Sequence, residues 1–212
     1  ATLLRQLERS FGTWRKAGAP LPAVPPPVRV TGRSVLLVDK PGATQTYFWL
    51  GNVGASRTDA ARTAQSVVNT VFGGRFTSML NTELRIKSGL TYGANASFSR
   101  PSQPGSFRIA SYTETGKTTQ AIDMALDTLA RLHQDGLDAG QLQSSQNYML
   151  GQFPPSIETN GQIAARLADM LFHGLGPDDV NEYAARVTKV DAAAVRSAIE
   201  QSFPQPDDLV IV

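Results

Sequence analysis

The chain has 212 residues and a mass of 22.8 kDa, enough for one good-sized domain or two small ones with an ample core. Apolar residues make up 41% and charged residues 18%, an ordinary globular composition that argues against a disordered chain. The net charge of +2 is dispersed without a Lys/Arg block, which argues against a nucleic-acid surface, and the absence of cysteine removes disulfides, thiol catalysis and cysteine-ligated zinc.

No stretch approaches the roughly 18 apolar residues of a membrane span. No basic segment followed by an apolar run marks a signal peptide. The chain starts at Ala1 in helix-like sequence without Met, so a mature protein or, in preference, an excised fragment is expected. Leu3, Leu7, Phe11 and Trp14 form one apolar helix face over residues 3–16. Residues 18–28 hold five prolines, which neither a helix nor a central strand tolerates, so an extended connector is expected. Residues 1–28 therefore read as the tail of something upstream, and residues 29–212 as the domain that follows.

Residues 34–39 and 45–51 are β-branched and aromatic and predict two strands, with the turn between them at Lys40-Pro41-Gly42. Thr58 or Asp59 is expected to cap a helix that buries Ala60, Ala64, Val67, Val68 and Val71. Gly73-Gly74 ends it, in a helix-to-helix turn expected to need positive φ. A second helix carries Phe76, Leu80 and Leu84 as its stripe, with Gly89 as its left-handed stop.

Residues 92–100 alternate, with Tyr92, Ala94, Ala96 and Phe98 on one side and Gly93, Asn95, Ser97 and Ser99 on the other. Residues 101–105 turn the chain and 106–113 return, a hairpin with one solvated or ligand-facing side. From Lys117 the period is helical. Ile122, Leu126 and Leu129 line a helix that stops near Gly136, and Asp138 with Gln141 resembles a capping box. That next helix ends at Pro154-Pro155. A further one carries Ile163, Leu167 and Leu171 and halts at Gly174. Asp178 or Asp179 starts a short helix, and Asp191 caps the last, with Val195 and Ile199 inside. Residues 209–212 predict a final buried strand. Grouped strands and helices imply an α+β fold, a largely antiparallel sheet with helices packed on one face.

The chemistry is sparse. His133 and His173 are the only histidines, forty residues apart; neither H-E-x-x-H nor H-x-x-E-H occurs, and each reads as a helix-end residue whose imidazolium suits the dipole. No metal site is expected in this chain. No G-x-S-x-G elbow marks a nucleophile, and Gly73-Gly74 lacks the spacing of a phosphate loop. Arg85 and Tyr92 flank the break at Gly89. Taken locally, Arg85 fits dipole complementation at a helix end and Tyr92 a core tyrosine with one hydrogen bond. A tight turn at Gly89 would also let guanidinium and phenol converge on a carbonyl oxygen.

The run GGRFTSMLNTELRIKSGLTYGANASF, residues 73–98, resembles the signature of the second homologous domain of pitrilysin/insulinase-type zinc peptidases, a group that includes the mitochondrial processing peptidases. The glycine pair after a helix, S-x-L…E-L-R and G-L-T-Y-G opening a strand coincide in order, and Arg85 and Tyr92 stand seven apart as the family's paired Arg and Tyr do. The likeness extends more loosely over residues 29–212. It implies a chamber built from two similar halves. One half carries H-x-x-E-H, whose zinc activates water, and the other lends an Arg/Tyr pair. By that carry-over the chain is the non-zinc half of a metalloendopeptidase, inactive alone, with zinc in a homologous partner half on the same chain or a separate subunit. Tyr92 would be the oxyanion donor, and Arg85 would bind a substrate carbonyl or support Tyr92. Asn95, without a motif match, is a candidate for peptide contact. The resemblance implies the bacterial periplasm or a secreted location, with the cytoplasm left open. Two other readings stand beside it: a non-catalytic structural or binding subunit like the respiratory core proteins, and an unrelated α+β enzyme with its site on the polar face 95–99.

Overall fold

In the computed structural model, which describes residues 2–15, 18 and 22–212, five strands form one sheet. They are β1 (Ser34–Val35), β2 (Gln45–Val53), β3 (Ala94–Phe98), β4 (Ser106–Glu114) and β5 (Val210–Ile211), in the order β1-β5-β2-β4-β3. Only the β1–β5 pair is parallel. The helices are α1 (Thr2–Phe11), α2 (Arg62–Phe72), α3 (Met79–Asn81), α4 (Thr118–Asp135), α5 (Ala139–Gln152), α6 (Asn160–Phe172), α7 (Asp178–Asn181), α8 (Tyr183–Thr188) and α9 (Ala192–Ser202). Period-two alternation sends Phe48, Leu50, Phe107 and Ile109 inward. There they join Val67, Val68 and Phe72 of α2, Leu129 and Leu132 of α4 and Ile199 of α9 in one core. Phe203 seals it, with ring centroids 5.0 Å from Phe107 and 6.0 Å from Phe72. The expected α+β class and largely antiparallel sheet are present.

Several expectations fare differently in detail. The first strand is two residues, not six, and it pairs with β5 rather than with β2. Lys40-Pro41-Gly42 does turn the chain: the Ala43 N–H donates to the Lys40 carbonyl at 3.1 Å and Gly42 has φ 77°. No hairpin follows, because β5 occupies the place beside β2 and leaves Leu37 and Val38 exposed. The helix expected from Thr58 or Asp59 begins at Arg62; the Asp59 carboxylate accepts from the Ala61 N–H at 2.7 Å, ahead of it, and Ala60 lies outside. The capping box at Asp138 and the Asp191 cap form as expected.

Two apolar stripes face solvent. Among its buried residues α1 has none, and Leu3, Leu7 and Phe11 are exposed. In α6 only Met170 is buried, while Ile163, Leu167 and Leu171 lie at the surface. The connector has no helix or strand at 18 and 22–28; residues 19–21 lie outside the described residues. From Arg29 onward the chain touches the domain, with Arg29 Nη2 donating to the Val53 carbonyl at 3.3 Å and the Val30 N–H to Asn52 Oδ1 at 3.1 Å.

Gly73 is a correction of cause. Its φ of −155° is negative, not the positive φ expected. A side chain there would meet Ala96 Cβ at 2.6 Å and Leu80 Cδ1 at 2.9 Å, so glycine is required by the close approach of β3. The Ala96 N–H donates to the Gly73 carbonyl at 3.1 Å, which fixes that approach.

Candidate functional site

The expected second helix is short and changes character. After α3, residues Thr82–Lys87 form a π-helical turn, with the Ser88 N–H reaching the Glu83 carbonyl at 3.2 Å. Leu80 and Leu84 are buried as the stripe requires, but Phe76 precedes the helix and is exposed. Widened turns of this kind recur at functional sites, because they re-aim the side chains they carry. This one carries Arg85. The guanidinium lies over the Phe76 ring, 4.6 Å from its centroid. Glu83 anchors the turn to α4, accepting from Lys87 at 2.9 Å and Arg131 at 3.2 Å. Burial pushes the Glu83 carboxyl up, but these two cations outweigh it and hold its pKa below the ordinary value.

Gly89 then takes φ 64°, the left-handed stop that the sequence predicts. The chain that follows is clamped around a single carbonyl. Leu84 O accepts from the Leu90 N–H at 2.9 Å, the Thr91 N–H at 3.2 Å and Ser88 Oγ at 2.9 Å. From β4, Thr113 Oγ1 donates to the Leu90 carbonyl at 2.7 Å, and Ser111 Oγ to the Gly93 carbonyl at 3.0 Å. Asn81 Oδ1 accepts from the Ala94 N–H at 2.9 Å. Leu90 and Thr91 are buried, yet Tyr92 between these anchors is 78% exposed. Tyr92 is therefore not on the buried face of the strand, as the alternation suggested; β3 starts at Ala94, and the phenol stands clear of the core.

Arg85 and Tyr92 line the same open cleft, of about 440 Å³, with Gln45, Tyr112, Thr113 and Glu114 across from them. The cleft runs onto the outer sheet face, where Tyr47 stacks on Tyr112 at 5.2 Å and Arg108 lies over Trp49 at 5.1 Å. Asn95 is on that outer face, opposite Ala110 in the ladder, and is not part of the cleft lining. Thus the structure brings two of the three candidate residues together and sets the third apart. Sequence reading missed Thr113, Ser111 and Asn81, which fix the backbone about Tyr92. A threonine or serine in a strand, or an asparagine in a helix, carries no spacing that marks such a role.

Among the described residues no group of three or more His, Cys, Asp or Glu is placed to hold a metal. Both histidines are at helix ends as expected, but His133 does not serve as a dipole-paired imidazolium. Burial lowers its pKa, against the Pro204 carbonyl and Glu200, which favour the charged form. Its Nε2 lies 3.0 Å from the Pro204 carbonyl and its Nδ1 3.2 Å from Gln205 Nε2, the pattern of a neutral ring donating through Nε2 and accepting at Nδ1. Among the described residues no helix is long and apolar enough to cross a membrane.

Comparison with known proteins agrees with this architecture. An uncharacterized zinc protease of Streptomyces coelicolor is 28% identical over 185 residues, which cover 87% of this chain and 40% of that protein. This chain thus spans well under half the length of that curated relative. Among solved structures, a peptidase M16 inactive domain from Pseudomonas fluorescens superposes with a TM-score of 0.80 at 24% identity, over 92% of this chain and 46% of that one. A protease from Helicobacter pylori gives 0.85 at 14% identity, over 100% of this chain and 51% of that one. These two show the fold. The sequence model of the peptidase M16 inactive domain matches residues 1–149, and by that match the chain belongs to this family.

Proposed function

We propose that this chain is the non-zinc half of a zinc metalloendopeptidase acting on unstructured peptides, and that it is inactive alone. The observation that carries the reading is the pairing of Arg85 and Tyr92 on one open cleft. Among the described residues neither side chain has a hydrogen-bond or ion-pair partner, although the backbone that carries them is tightly held. Both are donors with no acceptor to serve among the described residues. In this reading the Tyr92 hydroxyl donates to the scissile carbonyl oxygen and gains strength as negative charge develops there. Arg85 binds a neighbouring substrate carbonyl or supports the phenol. Donors fixed in advance stabilise an oxyanion without reorganising at the moment of reaction. Asn95 is assigned a contact to peptide lying across the outer sheet face.

Because no residue set among the described residues fits zinc, the metal and its activated water are assigned to a zinc-bearing homologous half, on the same polypeptide or a separate subunit. The length of the Streptomyces relative, named a zinc protease, supports such a second half. The test combines this chain with the zinc-bearing half and follows cleavage of a flexible peptide. The assembled pair is expected to cleave, and Tyr92→Phe to lower kcat about 10- to 1,000-fold with little change in KM. Full turnover by the Tyr92→Phe assembly would remove Tyr92 from the mechanism. No cleavage by the unmodified assembly would favour a structural, non-catalytic subunit.

A further inference from the structure

A second cavity, of about 280 Å³, lies between the start of α2, the end of the β3 segment and the α6–α8 helices. Its walls carry five arginines, Arg57, Arg62, Arg100, Arg166 and Arg186. None belongs to the Arg85/Tyr92 cleft. Asp179 is buried and is shared by four of them, with Arg57 and Arg62 at 3.0 Å, Arg166 at 3.1 Å and Arg186 at 3.7 Å. Asp169 takes Arg57 through Nε at 3.0 Å and Nη2 at 2.8 Å, and it also faces His173 at 3.6 Å. Asp59 adds a third carboxylate near Arg100. Five guanidiniums against three carboxylates leave a surplus of two positive charges.

A purely structural ion-pair network would end in balance, because an uncompensated buried charge is costly. Arg100 marks the imbalance. It has no carboxylate of its own: Nη2 donates to Gln65 Oε1 at 3.2 Å and the guanidinium lies over the Phe98 ring at 4.7 Å. Burial above all pushes its pKa down to about 10; Asp59 opposes this, and Arg57 and Arg62 add to it. Arg100, Arg166 and Arg186 each keep a buried Nε–H with no acceptor among the described residues. Among the described residues, donors therefore outnumber the acceptors that reach them.

We propose that this cavity binds a phosphate-class oxyanion, either inorganic phosphate or the head of a phosphate monoester. Guanidinium forks match tetrahedral oxyanions bidentately, and a dianion cancels a surplus of two. The volume lies just below the range of drug-sized ligand sites, about 300–1,000 Å³, which suits a small charged group better than a bulky cofactor.

The test is calorimetric titration of the full chain with inorganic phosphate at fixed ionic strength, with sodium chloride as the reference and phosphoserine as the monoester arm. Saturable binding of phosphate, absent with chloride, is expected. Arg100→Gln is expected to weaken it at least tenfold, and Arg33→Gln, at a remote surface pair with Asp207, to leave it unchanged. Arg100 holds no carboxylate in place, so its loss should spare the fold, which circular dichroism checks; Arg166→Gln serves as a second variant. Tighter binding of phosphoserine identifies a monoester site, and equal or weaker binding identifies free phosphate. Phosphate heats no different from those of chloride, or equal weakening by Arg33→Gln and Arg100→Gln, would overturn the proposal.

Discussion

Tyr92 keeps its phenol in solvent while the residues just before it are buried, and much of the restraint comes from another strand. Thr113 donates to the Leu90 carbonyl at 2.7 Å from a position that is itself buried. Thr113→Val keeps the shape and deletes the donor, leaving a buried carbonyl unsatisfied. Such a loss costs about 1–3 kcal/mol. Urea unfolding should show that loss for Thr113→Val and much less for Thr113→Ser, which retains the hydroxyl; equal stability of all three proteins would mean that the hydroxyl anchors nothing. The Arg85/Tyr92 pair was legible because both residues sit at fixed places in a longer signature. Thr113 was not, since an inward threonine in an alternating strand reads as ordinary β filling.

At the scale of elements, the two glycine breaks on either side of α3 and its π-helical turn look alike in sequence and differ in physics. Gly89 has φ 64° and open space where a side chain would go, so Gly89→Ala meets only backbone strain, about 1–2 kcal/mol. Gly73 has a negative φ but no room, since the new methyl would lie 2.6 Å from Ala96 Cβ and 2.9 Å from Leu80 Cδ1. Gly73→Ala must push β3 away from the end of α2, an overpacking cost of about 3 kcal/mol. Denaturant midpoints should rank wild type above Gly89→Ala, and Gly89→Ala above Gly73→Ala. The reverse order of the two variants would refute the packing account. Sequence correctly marked both as stops, yet it could not separate a conformational glycine from a packing one. Nor could it show the π-helical turn, because Leu80 and Leu84 satisfy an α-helical stripe equally well. The exposed stripes of α1 and α6 carry the same lesson, since periodicity names an apolar face without naming what covers it.

Across the whole molecule, the parts hardest to read are those joined over long stretches of chain. β5 enters between β1 and β2 from the far end of the chain, and the arginine cavity draws on residues from 57 to 186 with no period to announce it. The same assembly shapes the response to acid, and its two steps have separable origins. His133 is held neutral by burial, so the folded chain resists a proton that the unfolded chain takes near its ordinary pKa of 6.5. Stability is therefore complete above that value and declines as pH falls through it toward the lowered folded pKa. Asp179 gives the second step. Burial pushes its carboxyl up, but the hydrogen bonds of Arg62 and Arg57 and the charges around it prevail and hold its pKa below 3.8. Its contribution is present above 3.8 and is lost as pH falls through the lowered folded value. Melting temperatures taken from about pH 7.5 down to pH 3 should thus decline in two stages, the first spanning the histidine range. His133→Gln can still donate to the Pro204 carbonyl but cannot titrate, so it should flatten the first stage and leave the second in place. Parallel profiles for the two proteins between about pH 7 and 5 would show that the early loss arises elsewhere.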